Sequence, residues 1–285
     1  MAGTGVLHRG VRLLGEVTLA AVQVDRALMR GRERGRSFVR GLMTEALSPE
    51  ELEELMVQFY VRGPNRFTRA ALEEWEAQMF DRWLPPPPAK VLVTAAGSGR
   101  EARALVERGY AVDALEPVPA MAATCAALEG VDTVVCATHE DLIAAVADGR
   151  GPARALTQRD YDAVLVGWGS LNHIFSRERQ VSLLSACDRL ASSGPVLISF
   201  FARRRPPAER ERALAAGRCI GRCFRAARKG SSIELDVSFA WNVGFTHPYT
   251  VAEIEGLASS IGRVAETELT PYGHAVLRRV DAAQA

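Results

Sequence analysis

Two hydrophobic rhythms run along this chain, and they meet at four consecutive prolines, Pro85-Pro86-Pro87-Pro88. Before the prolines, apolar positions recur at helical spacing. From about Val11 to Met43 they alternate with arginines. Ser48-Pro49-Glu50-Glu51 then marks a helix start, with Ser48 as N-cap, Pro49 at the first helical position and Glu51 able to reach back in a capping box. Gly63-Pro64-Asn65 breaks that helix, and another follows with Leu72, Trp75, Met79 and Phe80. After the prolines the period changes. Short apolar runs predict strands at 90–94, 110–115, 132–137, 161–167 and 195–201, with helices between them at 100–108, 119–129, 140–148 and 176–191. Strict alternation of this kind predicts an α/β fold, a doubly wound parallel sheet. A stiff proline run fits neither helix nor sheet interior, so the domain boundary is expected there. Residues 1–84 read as a helical cap and 85–285 as the sheet domain.

The last third adds a helix near 207–228 and an extended stretch at 233–241, where Leu235, Val237, Phe239 and Trp241 share one face. Thr250-x-x-Glu253 opens a further helix that ends by Gly262. The chain finishes with strands at 264–270 and 274–280 around the turn Pro271-Tyr272-Gly273. Strands joined by so tight a turn pair antiparallel. The expected architecture is a mostly parallel seven-stranded sheet that ends in an antiparallel hairpin and carries an N-terminal helical cap.

The chemistry concentrates at 90–121. Val91, Leu92 and Val93 suit a buried parallel strand. Ala95-Ala96-Gly97-Ser98-Gly99 is a turn of side chains small enough for a ligand to touch backbone. Ala102, Leu105 and Val106 give a helix one apolar face, and Gly109 caps its end. A second strand closes at Glu116, 19 residues after Gly97. Backbone N–H groups and one carboxylate thus surround the place of a nucleoside, the turn under its tail and Glu116 at its ribose hydroxyls. The stretch from Gly97 to Ala102 also satisfies the dinucleotide fingerprint G-x-G-x-x-A.

Residues 88–280 resemble the class I S-adenosylmethionine (SAM)-dependent methyltransferases, through VLVTAAGSGREA, ALEPVPAM, YDAVLVGWGSLNHI and the closing YGHAVLRRV. The resemblance implies SAM as cofactor and S-adenosylhomocysteine as product. Ala95, Gly97 and Gly99 would line the turn beside the methionine moiety, Glu116 would bind the ribose diol, and Pro117 and Met121 would shape the adenine pocket. Thr138, His139 and Glu140 follow the third strand, where the family contacts the adenine ring. Gly167 and Trp168 follow the fourth, near the transferred methyl. Two positions depart from the family pattern: Val93 stands where an acid is common and Ala95 where a glycine opens the turn. The alanine is tolerable if its φ stays negative. Tyr60 or Arg66, from the cap, are candidates to hold the amino-acid end of SAM. His173 is the candidate general base, an imidazole able to titrate near neutrality. His247 is placed to face the substrate mouth or solvent, and His274 reads as structural.

Composition narrows the partners. Lys plus Arg number 35 and Asp plus Glu 34, a net charge of +1, so there is no global electrostatic case for nucleic acid. Ten basic side chains between 200 and 230 read either as a solvated helix face or as a basic rim. Five scattered cysteines argue for a reducing, cytoplasmic setting; Cys219 and Cys223, four apart, lack a matching pair and read as buried thiols rather than metal ligands. No metal site is expected, and no apolar run is long enough to span a membrane. The expected function is methyl transfer to oxygen or nitrogen of a small molecule or short peptide in specialised metabolism. The alternatives are an RNA or protein methyltransferase using the arginines of 203–228, a nicotinamide-dependent oxidoreductase, and a SAM-binding protein without turnover.

Overall fold

The computed structural model describes residues 3–62, 71–203, 210–228 and 233–279, with side chains from residue 23 onward. Gly63-Pro64-Asn65, Arg66 and Lys229 lie outside the described residues. The chain runs α1 (Gly3–Ala46), α2 (Pro49–Arg62), α3 (Glu74–Trp83), β1 (Lys90–Thr94), α4 (Arg100–Glu107), β2 (Ala111–Leu115), α5 (Pro119–Ala126), β3 (Val131–Val135), α6 (His139–Asp148), α7 (Arg154–Thr157) and β4 (Ala163–Val166). A 3-10 turn (Ser170–His173) leads to α8 (Arg177–Leu190), β5 (Val196–Phe200), α9 (Glu211–Arg228), β6 (Ser238–Ala240), β7 (Gly244–Thr246), α10 (Val251–Ser260), β8 (Val264–Glu268) and β9 (Gly273–Arg278).

Seven strands form one sheet in the order β3-β2-β1-β4-β5-β9-β8. The first five are parallel; β9 pairs antiparallel with both β5 and β8. Crossovers leave in opposite directions from β1 and β4, which lie side by side with Val93 opposite Leu165. The carboxyl ends of these two strands are therefore the topological switch point, where open α/β sheets bind ligands.

Alternating residues of the central strands feed two cores. Val91, Val93, Val112, Ala114 and Leu165 pack with Trp75, Met79, Phe80 and Leu105 on one face. Leu92, Leu115, Val164, Val166 and Ile198 pack with Leu142, Leu183, Leu184 and Leu257 on the other. Burial on both faces is why these strands read as continuous apolar runs. Although α3 precedes the prolines, it packs on the sheet. A third cluster, Leu52, Met56, Phe175, Val237, Phe239 and Phe245, fastens α2 and the β6–β7 hairpin above the sheet's carboxyl edge.

The helix signals act as read. Ser48 and Glu51 complete the capping box at α2, Thr250 and Glu253 do so at α10, and Gly109, at φ 89°, ends α4. The sequence did not reveal α7, the 3-10 turn or the β6–β7 hairpin, because segments of three or four residues are too short to show a period. One expectation about side chains needs correction. Cys219 and Cys223 are exposed: α9 turns Gly217 and Gly221 against α1, with room for no Cβ at either, and the thiols fall off that face. Trp241 is 42% exposed and meets the Phe239 ring edge-on.

Candidate active site

The turn after β1 is built by local backbone needs. Ala96 N–H donates to Leu115 O and Gly99 N–H to Ala96 O, each at 3.0 Å, which ties the turn to β2 and closes it on itself. Gly97 (φ 57°) and Gly99 (φ 88°) occupy the left-handed region that favours glycine. Ala95 does too, at φ 50°, so the condition under which an alanine is tolerated there without strain is not met. A left-handed alanine costs about 1–2 kcal/mol. Ala95→Gly is therefore expected to stabilise the fold by up to about 1 kcal/mol in denaturant melts, after glycine's own entropy cost. A clear loss of stability would mean that the methyl group is needed for packing.

Glu116 joins this turn to the next. Its Oε2 accepts from Gly97 N–H at 2.8 Å and its Oε1 from Val118 N–H at 2.9 Å. The residue is 4% exposed. Burial raises its pKa, and the two backbone donors oppose that shift. A carboxylate has about four lone-pair sites, so two remain for an incoming ligand. A Cβ on Gly97 would meet nothing within 4 Å, so the floor of the turn is open.

Around this floor lies a cavity of about 1090 Å³, large for a small-molecule site. Ala95, Gly97 and Ser98 line it from the turn, Glu116, Pro117 and Met121 from the end of β2, and Thr138, His139 and Glu140 from the start of α6. Thr138 caps α6 in a box with Asp141, which fixes where His139 emerges. Trp168 and His173 line it after β4, Phe201 after β5, and Tyr60 roofs it from α2.

Two expected residues support the site from behind instead. A Cβ on Gly99 would lie 2.4 Å from Leu128 Cδ1, and one on Gly167 would lie 2.5 Å from Thr94 O and 2.6 Å from Ala95 O. Gly167 lets β4 pass against the nucleotide turn. Gly167→Ala is expected to lose about 1–3 kcal/mol of stability and to weaken nucleoside binding, because only backbone could yield. Thermal melts with and without ligand check this; an unchanged melt would contradict the close approach. Arg66 lies outside the described residues.

His173 ends the 3-10 turn with both ring nitrogens engaged. Nδ1 lies 2.8 Å from Phe245 O and Nε2 lies 3.0 Å from the Tyr60 hydroxyl. A carbonyl only accepts, so Nδ1 carries the proton, and Nε2 accepts from Tyr60. Burial lowers the His173 pKa to about 4, so the ring is neutral at pH 7. Burial raises Tyr60 to about 12, with Glu116 adding to the shift. His139 is likewise held at about 4 by burial and then by Arg179, and its buried Nε2 has no hydrogen-bond partner. His247 faces neither a mouth nor solvent. It is 2% exposed, with Nδ1 on Asp236 O at 2.9 Å and its ring against Tyr249. His274 is buried against Trp75 and Trp83.

Several cavity residues escaped the sequence reading. Glu53 accepts from Phe175 N–H and pairs with Arg179, and burial raises its pKa to about 7. Arg179 also contacts Glu140 and Glu50. These groups meet only through the fold. Arg100 and Glu101 were in plain view as the x-x of the glycine motif, but the motif assigns those places no chemistry. Among the described residues, no group of three or more His, Cys, Asp or Glu is arranged to hold a metal, and no helix is long and apolar enough to cross a membrane.

No family model matches the chain, and no curated protein matches it significantly. Solved structures do. A 1,6-didemethyltoxoflavin N1-methyltransferase of Burkholderia thailandensis, solved with 1,6-didemethyltoxoflavin and S-adenosylhomocysteine, superposes with a TM-score of 0.54 at 18% identity, over 82% of this chain and 92% of that one. The magnesium protoporphyrin IX methyltransferase of Synechocystis PCC 6803, solved with SAM, gives 0.50 at 15% identity over 82% and 99%. A SAM-dependent methyltransferase of Leishmania major gives 0.50 at 14% over 81% and 84%. The chain thus has the Rossmann-like fold of the class I SAM-dependent methyltransferases.

Proposed function

We propose that this protein is a SAM-dependent methyltransferase that methylates oxygen or nitrogen of a small molecule or short peptide, with residues 1–84 as its cap and a place in cytoplasmic specialised metabolism. The observation that carries this reading is the continuous cavity from Glu116 and the glycine turn to the His173–Tyr60 pair. The residues fit the cofactor. Gly97 leaves its floor open, Glu116 keeps lone pairs for a ribose diol, and the unpartnered Nε2 of His139 offers a contact at the adenine end. The solved neighbours named above are methyltransferases, two of them solved with SAM or its product.

When bound, SAM supplies a methyl already activated as a sulfonium. The protein has to bring the acceptor in line, exclude water and take up a proton. Trp168, Phe201 and His173 line the part of the cavity that this reading assigns to the acceptor. The Tyr60 hydroxyl donates to His173 Nε2, and both residues line the cavity. A proton passing from acceptor to Tyr60 oxygen sends the tyrosine proton on to Nε2. Burial holds the ring neutral, so at neutral pH it is in the form able to accept that proton.

Calorimetric titration tests the cofactor. S-adenosylhomocysteine is expected to bind at one site per chain and NAD not to bind; the reverse would make the protein a nicotinamide enzyme. Incubation with SAM and a panel of alcohols, phenols and amines tests turnover, read as one added methylene by mass spectrometry. Transfer to RNA alone would overturn the small-molecule reading.

A further inference from the structure

The cavity wall beside the glycine turn holds an uneven set of buried charges. Arg100 opens α4 directly after Gly99, and its guanidinium donates to both carboxylate oxygens of Glu76, at 2.6 and 2.5 Å, and to Glu101 at 2.9 Å. It also stacks over the Trp168 ring, 5.3 Å from its centroid. Glu76 is 2% exposed and Glu101 6%. Among the described residues, two buried carboxylates thus share this one guanidinium, a formal excess of one negative charge. Buried charge is costly unless it meets an opposite charge. Burial raises the Glu101 pKa, Arg100 opposes that shift, and Glu76 adds to it. Arg100 and Glu101 line the cavity, whereas Glu76, delivered by α3, stands behind them. The cavity is therefore the side from which a compensating cation can come.

On the methyltransferase reading, the group that reaches this wall is the amino-acid end of the cofactor, which carries an ammonium. We infer that Glu101, braced by Arg100 and Glu76, receives that ammonium. The charge normally expected at the end of the first strand, where this chain has Val93, is supplied here from the first turn of α4. Glu76 makes the arrangement depend on α3: it takes both terminal nitrogens of Arg100, one of them shared with Glu101, so Glu101 keeps a share of its charge for the ligand.

Two nucleosides separate this inference from the reading it rests on. S-adenosylhomocysteine carries the amino-acid end; methylthioadenosine has the same adenosyl and sulfur without it. The wild-type protein is expected to prefer S-adenosylhomocysteine strongly. In Glu101→Gln its affinity is expected to fall about tenfold or more, as when one partner of a buried charge pair is removed, while methylthioadenosine binding stays within about threefold. Equal losses for both ligands, no loss for either, or a wild-type protein without preference would each overturn the inference while leaving the methyltransferase reading in place. A wild-type protein that binds neither ligand overturns both. If Glu101→Gln does not fold, Glu76→Gln carries the test: with the excess charge gone, S-adenosylhomocysteine should weaken and methylthioadenosine should not, and the opposite pattern defeats the inference.

Discussion

Replacing Glu116 by alanine is expected to raise the dissociation constant for S-adenosylhomocysteine by about 100-fold. Hydrogen bonds to a charged acceptor contribute about 1.5–3 kcal/mol, and each 1.4 kcal/mol is a factor of ten. The loss has two sources. The ribose hydroxyls lose their acceptor, and Gly97 N–H and Val118 N–H lose theirs, so the two turns that form the floor come apart. Glutamine should do little better. Both backbone groups are donors, and an amide presents one acceptor and one donor, so one N–H would face an NH₂. A Glu116→Gln protein that bound S-adenosylhomocysteine as tightly as wild type would show that the carboxylate is only a local tie.

His173→Ala is expected to lower turnover by at least about 100-fold with any acceptor whose proton must leave. The pH profile carries the sharper test. Neutral imidazole is the competent form, and its pKa lies near 4, so the rate should stay level as pH falls through 6.5 and decline only toward pH 4. A break near 6.5 would place a different group in the role. A drop of less than threefold in His173→Ala would leave the histidine a purely structural role. Stability follows the same sign. The unfolded chain binds more protons on these rings than the folded one between pH 4 and 6.5, so His173 and His139 make the fold weaker as pH falls through that window and have no effect above it. Glu53, with its pKa raised to about 7, acts in the opposite sense as pH rises from 4.5 to 7. In His173→Ala the acid-side slope should shrink.

The fold was legible because its elements carry strong local signals. Buried parallel strands show as runs such as Val91-Leu92-Val93, capping boxes stand at Ser48 and Thr250, and a turn centred on Tyr272 forces the last strands antiparallel. Of the nucleotide floor, the turn and Glu116 were legible, because glycine spacing and an acid at a strand end report backbone geometry. The sequence did not show the φ of Ala95, since an alanine carries no mark of a left-handed backbone. Nor could it join Tyr60 to His173, 113 residues apart, or Glu76 to Arg100, 24 apart on either side of the prolines. Such pairs are made by packing, through the Leu52–Met56–Phe175 cluster in one case and the Trp75–Phe80 face in the other. The burial of His247 was hidden for the same reason: Asp236 and the 3-10 turn's Asn172 reach it from distant parts of the chain.

The central claim is that the small-residue turn and the carboxylate after β2 together hold an adenosyl group. A crystal structure of the protein soaked with S-adenosylhomocysteine tests it most directly. Expected is a nucleoside lying over Gly97 with both ribose hydroxyls within hydrogen-bond distance of Glu116 and the sulfur facing the Trp168–His173 wall. A ligand seated elsewhere, or a Glu116 carboxylate with no contact to the ribose, would contradict it.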